Sequence, residues 1–142
     1  MPAIVDRPRQ RPLHPVHGFF LAATVTLFLG ALLSDLAYAT SYQVQWTNFA
    51  SWLITAGLVS GAVVLVFAVV GLRHADQREW RYLLYGLILL GAWALGFINA
   101  LMHAKDAWAV MPEGLVLSAI VLLLACVAAW MGLFNLRVGD VP

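Results

Sequence analysis

The sequence predicts an all-α integral membrane protein: a four-helix bundle with antiparallel neighbours and both termini on the cytoplasmic side. Three observations predict it. The 142 residues are 63% hydrophobic and 11% charged, with a mean hydropathy of +0.87, whereas about 25% of a soluble domain is charged. The charges that remain fall outside four uncharged segments. The cations are also unequally divided between the ends of those segments. A soluble bundle is excluded because its helices need a polar stripe at 3.6-residue spacing, and these segments are apolar all round. The hydropathy excludes disorder. Eight cations against seven anions, a net charge of +1, exclude the clustered basic surface that nucleic acid requires. One cysteine, Cys126, forms no internal disulfide.

The elements follow in chain order. Residues 1–12 are rich in Pro and Arg and read as a flexible basic tail drawn to membrane lipids with anionic headgroups. Residues 13–142 form a single transmembrane domain. Pro15 suits the first turn of helix one, where its missing N–H is not needed. The uncharged run from Gly18 to Ser34 is 17 residues long, and about 20 residues are needed to cross the ~30 Å hydrocarbon layer. Helix one therefore extends through Asp35 to span about 17–39, which places a carboxylate in the membrane. Ala37-Tyr38-Ala39 imitates a signal-peptide cleavage site, but Asp35 just before it argues for a retained helix. Helix two spans about 49–72. Asp76 and Glu79 form a capping box ahead of helix three, at 82–103, and Pro112-Glu113-Gly114 open helix four, at 113–134.

Orientation rests on the loop cations. Arg7, Arg9, Arg11, Arg73, Arg78, Arg81 and Arg137 lie on one side and Lys105 alone on the other, which predicts N-in and C-in topology in a bacterial inner membrane. Trp46, Trp52 and Trp108 then mark the outer interface, and Trp80, Tyr82 and Tyr85 the inner one. Short connections make consecutive helices neighbours. Gly57 with Gly61, and Ala92 with Gly96, offer close helix contacts within the bundle or, in a homo-oligomer, between copies.

Polar residues in lipid carry the functional information. Asp35 ends helix one at the depth where Asn99, His103 and Asp106 share a face of helix three. Ser51 and Thr55 of helix two and Glu113 and Ser118 of helix four are placed in the same layer. The functional reading is a site that shuttles a proton, holds a metal, or hydrogen-bonds a quinone or lipid headgroup. The structural reading, which we prefer, pairs Asp35 with His103 to join helix one to helix three, with Asn99 and Ser118 satisfying the rest. No nucleophile or complete metal set is visible.

At the inner face His14, His17 and His74 are candidate metal ligands, although their spacing matches no zinc signature. His14, His17 and His103 are the candidate b-haem ligands. Axial ligands must share a depth, and His17 and His103 lie about 30 Å apart across the layer. They cannot clasp one haem; His14 or His17 with His74 could do so only at the inner rim.

His14-Pro15-Val16-His17, Asn99-Ala100-Leu101-Met102-His103-Ala104-Lys105-Asp106-Ala107-Trp108, Pro112-Glu113-Gly114-Leu115-Val116-Leu117-Ser118-Ala119 and Arg137-Val138-Gly139 occur in that order. Together they resemble a bacterial predicted-membrane-protein family of unknown function whose members open with HPxHP. The resemblance covers roughly Leu13 to Val141. It implies a four-helix inner-membrane domain and, since some relatives are joined to Rieske-type or cytochrome modules, an association with membrane electron transfer. The matching positions are His14, His17, Asp35, Asn99, His103 and Asp106. Gly18 stands where the motif has its second proline, and Asn135-Leu136 where relatives often carry a histidine. The expected function is a non-enzymatic accessory or structural subunit packed against other membrane subunits. The alternative is an electron-transfer domain that binds b-haem or quinone.

Overall fold

A computed structural model describes residues 14–74, 80–105 and 107–135, apart from the side chains of His74, Trp108 and Asn135. Four helices carry the chain: α1 (Pro15–Ser41), α2 (Val44–His74), α3 (Trp80–His103) and α4 (Glu113–Trp130), the last continued by a π-helical turn over Met131–Asn135. All four are long and apolar enough to cross a membrane. A short 3-10 turn, Ala107–Ala109, precedes α4, and no strand occurs among the described residues.

Local chemistry sets several ends. Pro15 opens α1 behind His14. The helix stops at Tyr42, which adopts φ 55° and donates its N–H to the Tyr38 carbonyl, a left-handed cap of the kind glycine usually provides. Only Tyr42 and Gln43 separate α1 from α2. Helix α2 begins at Val44 rather than at 49, because backbone hydrogen bonding continues through Gln45, Thr47 and Asn48 although hydropathy falls there. Helices α1 and α3 each start two residues earlier than expected, and α1 ends two residues later. The tail at 1–12, the Asp76–Glu79 box, Asp106 and Arg137 lie outside the described residues.

The helices pack as a ring, α1 on α2, α2 on α3, α3 on α4 and α4 on α1. Each buries a narrow seam at alternating spacings of three and four, the knobs-into-holes period of a left-handed bundle. In α1 the seam is His17, Leu21, Thr24, Phe28, Ala31 and Asp35; in α3 it is Tyr85, Leu89, Ala92, Gly96, Asn99 and His103. The two seams match position for position at a separation of 68, the separation of the two hydrogen bonds that cross the bundle, His17 to Tyr85 and His103 to Asp35. Diagonal helices α1 and α3 therefore run parallel at equal depth. Eighteen residues separate the two ties on each helix, about 27 Å of rise.

Between the ties lie two apolar layers, one around Leu21, Val64, Leu89 and Ala128, the other around Phe28, Ile54, Val121 and Ala125. The Phe28 ring fills the middle. A Cβ built on Gly57 would lie 2.8 Å from Phe28 Cε1, and one on Gly96 3.3 Å from its Cζ. The small residues thus serve packing within the bundle, as one sequence reading expected. On the α2–α3 side the Trp93 indole donates to the Leu58 carbonyl at 3.0 Å, which fixes the crossing at mid-height. A recess opens at each end of this crossing.

Candidate functional site

Four side chains from three helices form a sealed network at one end of the bundle. Asn99 Nδ2 donates to Ser118 Oγ at 2.8 Å, and Ser118 Oγ donates to Asp35 Oδ2 at 2.5 Å. Asp35 Oδ1 lies 2.8 Å from His103 Nε2, and His103 Nδ1 lies 3.0 Å from the Asn99 carbonyl oxygen. The chain of bonds closes on itself. Helical geometry supplies the last link, because a residue at i+4 lies directly above its own preceding turn. Gly114 is needed beside it: a Cβ there would lie 3.1 Å from His103 Cε1 and 2.6 Å from Val110 Cγ1.

Donor and acceptor rules fix where the protons are. A carbonyl cannot donate, so His103 Nδ1 carries a proton and gives it to Asn99 O. A bare imidazole nitrogen and a bare carboxylate oxygen would repel at 2.8 Å, so Nε2 and Oδ1 share a second proton. The pair is then neutral overall, the form in which an acid and a base are least costly inside a membrane. Asp35 is 0% exposed, and both side chains of the pair are fully shielded. Asn99 Oδ1 finds no partner.

The other residues assigned to this layer behave differently. Thr55 and Glu113 are exposed and Ser51 half-buried; Thr55 and Ser51 bond carbonyls of their own helix. Hydropathy gives depth but not rotation about the helix axis, so it groups residues at one level although they face different ways.

At the opposite end His17 Nε2 lies 2.8 Å from the Tyr85 hydroxyl. The His17 ring stacks on Phe67 at 5.4 Å, and His14 stacks on the same ring at 5.6 Å. Tyr85 is 1% exposed and so is a buried partner rather than a residue of the interfacial belt. The seam period could have found it, since Tyr85 stands at the head of the Leu89, Ala92, Gly96 series. A further buried contact that the sequence did not suggest joins Thr24 Oγ1 to Ser60 Oγ at 3.0 Å.

The two histidine levels differ in what they expose: His14 is exposed at one end, whereas His103 is buried at the other. His103 has both ring nitrogens engaged and His17 has at most Nδ1 to offer. Among the described residues no three His, Cys, Asp or Glu side chains converge as a metal would require, and the His74 side chain lies outside the described residues.

A family model described as "Predicted membrane protein (DUF2231)" matches residues 13–136. The chain belongs to this family. The match takes in all four helices of the DUF2231 protein, including both ends of the α1–α3 diagonal. No curated protein and no solved structure matches it.

Proposed function

We propose that this DUF2231 protein is a non-enzymatic subunit of a bacterial inner-membrane assembly, oriented with both termini in the cytoplasm. The observation that carries the reading is the closed network of Asp35, Ser118, Asn99 and His103. A general acid or base must reach the proton it transfers, and these side chains are shielded and spend their hydrogen bonds on one another. Such an arrangement supports a clamp that holds α1, α3 and α4 in register. The exterior, with Phe19, Trp52, Trp80, Trp130 and Phe134 exposed, suits lipid and neighbouring membrane subunits.

Purification of the full chain from its native membrane in a mild detergent tests this reading. A stoichiometric membrane partner and a featureless visible spectrum are expected. A solitary monomer would overturn the subunit reading, and a reducible Soret band would replace it with electron transfer through b-haem.

A further inference from the structure

At the Asp35 end, the cleft between α2 and α3 opens into a recess of about 370 Å³. It is lined by Gln45, Thr47, Asn48 and Ser51 of the first turns of α2, together with His103 and Lys105. His103 meets the recess through its main chain, since its side chain is fully shielded. The other α2–α3 recess, about 200 Å³, is lined by apolar residues including Leu65, Leu72, Leu83 and Leu90. Only the first is built for a polar ligand.

Three observations define that ligand. Among the described residues that line the recess Lys105 alone is charged, and among the described residues its ammonium has only the Met102 thioether as a partner, at 3.2 Å. A thioether is a weak acceptor, so the cation is available to an anion. Thr47 is 7% exposed and its hydroxyl finds no partner. It is the exception in this chain: the other nine Ser and Thr hydroxyls each donate within the protein. A buried hydroxyl without a partner calls for a group that supplies one. The third observation is depth. Trp46 lies among the lining residues on α2 and Trp52 follows the last of them; both are exposed, and exposed indoles on membrane helices sit at the level of lipid headgroups.

We propose that this recess binds the phosphodiester of a phospholipid headgroup, with Lys105 pairing its charge and Thr47 and Asn48 hydrogen-bonding its oxygens. A phosphodiester remains anionic without any proton transfer, and both leaflets supply it, so the proposal is independent of topology. Val44 and Ala107 add apolar surface to the lining.

Native mass spectrometry of the full chain, released from micelles doped with phosphatidylglycerol or with a phosphate-free glucosyl diacylglycerol, tests it. The wild type is expected to retain one phosphatidylglycerol and to release the glycolipid. Lys105→Ala should lower retention about fivefold, the effect of one cation at an anionic surface, and Lys105→Arg should restore it. Thr47→Val should also weaken retention, whereas Arg81→Ala, an exposed cation at the other end, should leave it unchanged. Equal retention of the two lipids, or no effect of Lys105→Ala, would overturn the proposal. Displacement of the lipid by inorganic phosphate would overturn its assignment to a headgroup in favour of a free anion.

Discussion

Asp35 is held by two donors of different helices, the shared proton at His103 and the Ser118 hydroxyl, and this arrangement makes definite demands on substitutions. Asparagine can replace both bonds, its amide N–H reaching the imidazole and its carbonyl accepting from Ser118. Asp35→Asn should therefore cost only about 1 kcal/mol, in the range of single hydrogen bonds between membrane helices. His103→Ala leaves the carboxyl without its main partner and should cost about 3–5 kcal/mol. Asp35→Leu combined with His103→Leu removes both charges together and should be more stable than either single leucine variant. Thermal melts in one detergent order the series; a double variant less stable than both singles would assign the pair more than a clamping role. This pair was legible in the sequence because an ionisable residue in lipid demands a partner, and the depths of residues 35 and 103 agree. The His17–Tyr85 pair was not, since a tyrosine near a helix end reads equally well as an interfacial anchor until the rotation of α3 is known.

Helix contacts depend on where bulk is absent. The Phe28 ring occupies the space that a side chain at Gly57 would need, so Gly57→Ala should destabilise the bundle by about 1–3 kcal/mol, the usual cost of overpacking. Phe28→Leu should recover part of that loss in the double variant, measured by the same melts. Gly71 is the control on the same helix: nothing lies within 4 Å of its would-be Cβ. Alanine there should be neutral or stabilise by about 0.5–1 kcal/mol through backbone entropy. Tyr42 offers a different test, because its φ of 55° costs a non-glycine residue about 1–2 kcal/mol. Tyr42→Gly should therefore raise the melting temperature; a fall would mean that its ring packing on Tyr38 at 6.5 Å outweighs the backbone term. The four helices were legible because length and charge-free stretches register directly in composition. The early start of α2 was not: a helix in a membrane protein ends where its backbone bonds end, and Val44-Gln45-Trp46-Thr47-Asn48 stays helical past the apolar stretch. The seams were hidden for a related reason. Interior positions such as Thr24, Ser60 and Asn99 are no more apolar than the lipid-facing ones, so hydropathy has little directional signal to report.

The whole molecule is tied at two depths about 27 Å apart, close to the ~30 Å hydrocarbon thickness, with Phe28 and the glycine crossing between them. The two diagonal polar ties therefore sit near the two interfaces, where water and headgroups lower the cost of the approach, and between them packing is joined by the Trp93–Leu58 and Thr24–Ser60 hydrogen bonds. That layout determines shape but is indifferent to direction, since either end would meet a membrane surface equally well. Direction must come from the cations. Arg73 and Arg81 lie at the His17 end and Lys105 at the Asp35 end, consistent with the seven-to-one division in the sequence. Labelling with a membrane-impermeant maleimide decides the matter. In a Cys126→Ser background, Gln43→Cys in the α1–α2 connection should label from outside intact cells and Arg81→Cys should not. Replacing Arg73 and Arg81 with Gln leaves five cations against one, so the same pattern should persist. Inversion after that modest change would show that the tail and C-terminal arginines carry little of the bias. Labelling of Arg81→Cys from outside in the otherwise unchanged protein would reverse the orientation while leaving the bundle, the clamp and the recess as they are.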